Sequence, residues 1–93
     1  MALIDDIKKS LRVTSASFNT EITDLIAAGK LDLGLSGVDS LVETDPLIKR
    51  ALTIYCKAHF GYDNADADRL ARAYDLLKSH LSISTDYHNY PEV

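Results

Sequence analysis

The chain has 93 residues and a formal net charge of −4. That length supports one domain burying somewhat more than ~60% of its unfolded surface, so a core is possible but thin, and no apolar run approaches the ~18 residues of a membrane span. Apolar residues at 46% and charged ones at 26% are a globular composition, while the acidic balance argues against a sequence-reading nucleic-acid binder with a basic face, though not against a protein that merely surrounds DNA.

The spacing of Leu3, Ile4, Ile7 and Leu11 predicts a first helix over Ala2 to Arg12. Asp5 and Asp6 lie early in it and Lys8, Lys9 and Arg12 late, an order that suits the helix dipole. Two aspartates where a secretory signal carries positive charge, with no long apolar stretch after them, give the expectation of a cytoplasmic origin. Thr14, Ser15 and Ser17 then offer N-caps for a second helix, in which Phe18, Ile22, Leu25, Ile26 and Leu33 form one stripe. Gly29 falls inside that stripe. Because Leu31 and Leu33 extend the apolar pattern beyond it, Gly29 is read as a point of close approach by another helix rather than as a helix end. GLSGVDSLVET, Gly34 to Thr44, holds two glycines and no strong period, and is expected to be a loop with one helical turn around Val38 to Val42.

A third helix starts at Asp45, a good N-cap, with Pro46 in the first helical position, where its missing N–H costs nothing. It runs to about Phe60. Leu47, Ile48, Ala51, Leu52, Ile54, Tyr55, Ala58 and His59 cover nearly half of its circumference, a width that implies more than one neighbour. Gly61 is the expected left-handed C-cap, and Asp63 or Asn64 the N-cap of a fourth helix with Asp66 and Asp68 in its first turn. Leu70, Tyr74, Leu77 and Leu81 step along its buried face. From Ser82 the period is lost. The sequence thus divides into a helical domain over 1–83 and a flexible tail over 84–93, and the fold class is all-α, a small four-helix subunit with that tail.

IYCKAHFGYDN, Ile54 to Asn64, places the only cysteine one helical turn before His59. Zinc wants about four ligands, and no second Cys/His pair is present, so no metal site is expected. Cys56 also comes late in a helix, beside the electronegative C-terminus, which discourages a thiolate nucleophile. The favoured reading is a buried structural cysteine and a hydrogen-bonded histidine in the core or at an interface. DNADAD, Asp63 to Asp68, lacks the EF-hand glycine and glutamate, since Asp68 and Tyr74 stand at the sixth and twelfth positions, and helix capping accounts for the acids. GLSG fits neither a phosphate loop nor a nucleophile elbow. Lys49, Arg50 and Lys57 form a short basic stripe, read either as a solvated helix face or as a contact for phosphate or an acidic partner. No catalytic, metal or cofactor-binding residue is assigned, and no enzyme activity is expected.

In order, LIDDIKKSLRV, FNTEITDLIAAGK, DPLIKRALTIYCKAHFGYDN and YDLLKSHLSIS resemble the small head-to-tail connector proteins of tailed bacteriophages, a family also labelled DNA-packaging protein. The resemblance covers about residues 1 to 86, and its most specific part is the Asp-Pro helix start running into AHFGYDN. It implies an all-helical structural subunit that assembles into a ring, by resemblance a dodecamer, beneath the portal protein at the capsid vertex. A tail-joining protein would lie downstream, and genomic DNA would pass through without sequence-specific binding. The expected location is the virion head-to-tail joint, with the host cytoplasm during assembly. Lys49, Arg50, Lys57, Tyr87, Tyr90 and Pro91 are the residues expected at partner or ring contacts, and Asp45, Pro46, His59, Gly61 and Asn64 those with structural roles. A small helical DNA-binding or regulatory module is the alternative, but no helix has the Arg, Lys, Asn or Gln content of a recognition helix.

Overall fold

A computed structural model describes residues 3–60 and 65–84. They form α1 (Leu3–Leu11), a 3-10 turn (Ala16–Phe18), α2 (Asn19–Leu35), α3 (Pro46–His59) and α4 (Ala67–Ile83), with no strand among the described residues. The all-α expectation holds.

Local chemistry sets most of the boundaries. α1 stops at Leu11, one residue short of the expected end, because Arg12 takes a left-handed conformation (φ 61°). The turn is closed by the Arg12 N–H donating to Lys9 O and the Val13 N–H to Lys8 O, both at 3.1 Å, which is the paired bonding of a Schellman end. Among the Ser and Thr candidates, Ser15 is the one that caps: its Oγ accepts from the Ser17 N–H at 3.1 Å and starts the 3-10 turn leading into α2. α2 runs through both Gly29 and Gly34, so the loop begins later than expected. Gly37 is the cap glycine, with φ 97°; its N–H donates to Gly34 O, and the Val38 N–H donates to Leu33 O at 3.0 Å. Val38 and Leu33 are both fully buried, so an apolar contact locks the turn. No helical turn forms over Val38 to Val42, and Glu43 just beyond it pairs with Lys30 of α2.

The start of α3 is as expected. Asp45 Oδ1 accepts from the Leu47 and Ile48 N–H groups at 2.9 and 3.3 Å, with Pro46 directly after it. The helix then runs through the middle of the subunit, touching α1, α2 and α4. Ile48, Ala51, Leu52, Thr53, Ile54, Cys56 and Ala58 are all buried. Thr53 avoids an unpaired hydroxyl by donating to Lys49 O at 2.7 Å. The broad apolar arc of α3 is therefore covered within one subunit except at Leu47 and His59, so its width gives no argument for a ring.

Gly29 sits where α2 meets α3. A Cβ on it would lie 3.0 Å from Leu52 Cδ2 and 3.2 Å from Tyr55 Cδ1, so the glycine is what allows the helices to approach. The start of α4 differs from expectation: the helix begins at Ala67, which puts Asp66 in the N-cap position, paired with Arg69 at 3.5 Å, and leaves only Asp68 in the first turn. The expected caps Gly61, Asp63 and Asn64 lie outside the described residues, as does the tail from Thr85 onward. Tyr74 and Leu81 of α4 enter the core, with Leu70 and Leu77 packed against it.

Candidate interaction surfaces

Cys56 and His59 part company. Cys56 is fully buried, and burial pushes its thiol up to about 12, so it stays protonated and packs as a small apolar side chain. His59 is exposed, contrary to a place in the core, and its ring rests on Tyr55 with centroids 4.4 Å apart. Among the described residues no group of three or more His, Cys, Asp or Glu side chains is placed to hold a metal ion.

The basic stripe is partly used inside the subunit. Lys49 pairs with Asp6 of α1 at 3.0 Å, tying α1 to α3 and holding the Asp6 carboxyl below its usual range through that hydrogen bond. Arg50 is exposed, and Lys57 is half-buried. Tyr87, Tyr90 and Pro91 lie outside the described residues.

The densest polar cluster joins α2 to α4. Asp32 Oδ2 accepts from the Tyr74 hydroxyl at 2.6 Å and from Lys78 Nζ at 3.0 Å, and Lys78 also reaches Asp75 at 3.6 Å. Tyr74 in turn packs edge-on against Tyr55, with centroids 5.1 Å apart. The hydrogen bond from Tyr74, with the Lys78 contacts, holds the Asp32 carboxyl below its ordinary value, while burial and the neighbouring carboxylate drive the Tyr74 hydroxyl far above its own. The carboxylate thus accepts from both the phenol and the ammonium, and the cluster clasps α2 to α4. Beside it an open cleft of about 320 Å³ runs between α3 and α4, past Ala58, His59 and Ala71. No local pattern announces this clasp, because its partners are 42 and 46 residues apart.

Two further features escaped the sequence reading. Leu31 and Leu35 on α2 are 67% and 81% exposed, and Leu76 and Ile83 on α4 are 64% and 74% exposed. A signal for the first pair was present: between Leu25 and Leu35 only Lys30 and Asp32 are charged, so α2 is apolar around most of its surface and wants cover on two sides. No helix of the described residues is long and apolar enough to cross a membrane.

Residues 3–88 match the family model described as phage connector protein. Neither the comparison with curated proteins nor that with solved structures gave a match. The family is one of structural connectors, and an all-helical subunit with uncovered apolar side chains on two helices is in keeping with it. On a match that spans nearly the whole sequence, this chain belongs to the phage connector protein family.

Proposed function

We propose that copies of this subunit form a ring beneath the portal at the capsid vertex, a dodecamer in the virion, extending the DNA channel and joining head to tail. The observation that carries the reading is the family match over residues 3–88. It is supported by the apolar side chains at Leu31, Leu35, Leu76 and Ile83, which a lone subunit leaves in water and an assembly would cover. The portal protein on one side and a tail-joining protein on the other are the partners. The net charge of −4 suits a passage through which DNA slides, since each neutralised phosphate would strengthen binding. Arg50 and Lys57, together with Tyr87, Tyr90 and Pro91, are assigned to partner contacts, the aromatics because they bury large area with few rotatable bonds.

The test is a phage with this gene disrupted. It should yield heads that fail to join tails, restored by the gene supplied in trans, and electron microscopy of complemented particles should show a ring of this chain between portal and tail. Normal joints without the protein would end the reading. The position of the gene offers a cheaper check, since a connector gene is expected just after those for portal and capsid.

A further inference from the structure

At about 100° per residue, Asp24, Ala28, Leu31 and Leu35 fall in one narrow band on α2, on the side opposite Ile22, Gly29 and Leu33, which face the core. On α4, Arg72, Leu76, Ser79 and Ile83 fall in a band opposite Tyr74 and Leu81. All of these outward residues are exposed. Both bands step by four, three and four residues. Asp24 and Arg72, at the N-terminal ends of the two bands, make no hydrogen bond or ion pair within the described residues.

The directions of the helices bear on how such bands can meet. Phe18 at the start of α2 packs against Phe60 at the end of α3, with ring centroids 5.4 Å apart, while Lys30 late in α2 pairs with Glu43 just before α3. α2 and α3 are therefore antiparallel. On α4, Ala71 lines one cleft with Ala58 and His59 at the end of α3, while Tyr74, further along, meets Tyr55 a turn earlier, so α4 is antiparallel to α3 and parallel to α2. The bonds from Asp32 to Tyr74 and Lys78 set residues 42 and 46 apart at one level. Asp24 and Arg72 are 48 apart, so the two bands stand level to within about one helical turn. A head-to-tail contact closes into a ring only when successive copies do not climb along the axis, and parallel bands offset by no more than about one turn leave a climb that a tilt of the helices against that axis absorbs.

We propose that the outer face of α2 in one copy packs against the outer face of α4 in the next copy, in parallel register, and that this is the ring contact. The inference rests on the connector reading and adds the surface through which copies meet. In this register Asp24 lies opposite Arg72, so the free charges pair. Ala28 takes the bulk of Leu76, Leu31 covers Ser79, and Leu35 meets Ile83, so large residues face small ones until the apolar end. The alternative of two-fold pairing, α2 on α2 or α4 on α4, sets each charge against its own like charge when the helices run parallel, and Asp24 against Leu35 and Arg72 against Ile83 when they run antiparallel. Head-to-tail pairing removes that mismatch.

Cysteine cross-linking in assembled particles tests the contact directly. In a Cys56→Ser background, Ala28→Cys and Leu76→Cys proteins would be supplied singly or together to a phage lacking the gene, and the purified particles oxidised mildly. A disulfide-linked dimer is expected only when both proteins are present, and it must then join different copies. Dimers from either protein alone, or none from the mixture in particles whose ring is visible by electron microscopy, would overturn this contact and leave the connector reading standing. Particles whose joint contains no ring of this chain would overturn both. A charge-reversal series gives independent evidence: Arg72→Asp should lower incorporation into particles by at least about tenfold, and adding Asp24→Arg in the same chain should recover most of it. Both variants should keep the helical circular dichroism of the parent, and no recovery in the double variant would overturn the register.

Discussion

α3 and α2 are both rich in apolar side chains, yet they end in opposite situations. α3 lies among α1, α2 and α4 and buries seven of the eleven residues from Ile48 to Ala58, whereas α2 buries one face, at Ile22, Ile26, Gly29 and Leu33, and keeps Leu31 and Leu35 in water. The difference shows that the width of an apolar arc does not by itself reveal a contact between subunits. What decides is how many neighbours the chain supplies at that place. A central helix spends its apolar surface on the subunit's own stability, and a lateral one has surface left for assembly.

A cavity in the central helix should have the largest effect on stability. Leu52 is fully buried and also meets the α2 surface at Gly29, so Leu52→Ala should lower the unfolding free energy by about 2–5 kcal/mol, read from urea denaturation followed by helical circular dichroism. A loss below about 1 kcal/mol would mean that α3 is less central than its burial implies.

Next in size is the seam between the two helices. Gly29→Val should cost about 1–3 kcal/mol, because even its first side-chain atom would stand 3.0 Å from Leu52 Cδ2 and 3.2 Å from the Tyr55 ring, before the two methyl groups are placed. Gly34→Ala is the control: an added Cβ there meets nothing within 4 Å, and the helix gains a better helix former. Thermal melts should move down for the first and not for the second.

Smaller again is the clasp between α2 and α4. The Asp32 carboxyl is depressed below its unfolded value by the Tyr74 hydrogen bond and by Lys78, so it stabilises the fold above pH ~4, and that contribution is lost as the pH falls through the folded value. Asp32→Asn should therefore destabilise the protein at neutral pH and flatten the acid side of the stability curve. Because the side chain is 38% exposed, solvent screening keeps the effect within about 1 kcal/mol. An acid limb with unchanged slope in the variant would show that the carboxylate is not the titrating group.

The features that sequence reading found are those whose partners are close in the chain or whose cause is a missing side chain. Asp45 and Pro46 announce the start of α3 because a cap bonds N–H groups two and three residues on, and Gly29 was legible because a glycine within an apolar stripe leaves room for a neighbour. The Schellman end at Gly37 is also local, with Leu33 and Val38 as its apolar pair, but Gly34 drew the boundary two residues too early. His59, expected in the core or at an interface, stands outside the core for a different reason: a helical wheel gives direction and not depth, and a side chain in the last turn can point along the core side while standing beyond its neighbours. The Asp32 clasp and the level of α2 against α4 follow from tertiary structure, and no spacing in the sequence encodes them.

A change on the outer face of α4 should barely move stability and yet weaken assembly. Leu76→Gln replaces an apolar side chain that is 64% exposed, on the side of α4 facing away from Tyr74, and removes no contact with the core. The unfolding free energy of the isolated subunit should shift by no more than about 0.5 kcal/mol, as for an ordinary surface position. Incorporation into particles should nevertheless fall, because burying an amide against a neighbour's apolar surface without a hydrogen bond costs about 1–3 kcal/mol at every contact around the ring. Leu52→Ala does the reverse, weakening the subunit without altering its outer face. Denaturation and particle incorporation measured on the two variants side by side should therefore separate, Leu52→Ala moving chiefly the first and Leu76→Gln only the second. If Leu76→Gln assembled as well as the parent, the outer face of α4 would be ordinary solvated surface, and the contrast between central and lateral helices would carry no information about assembly.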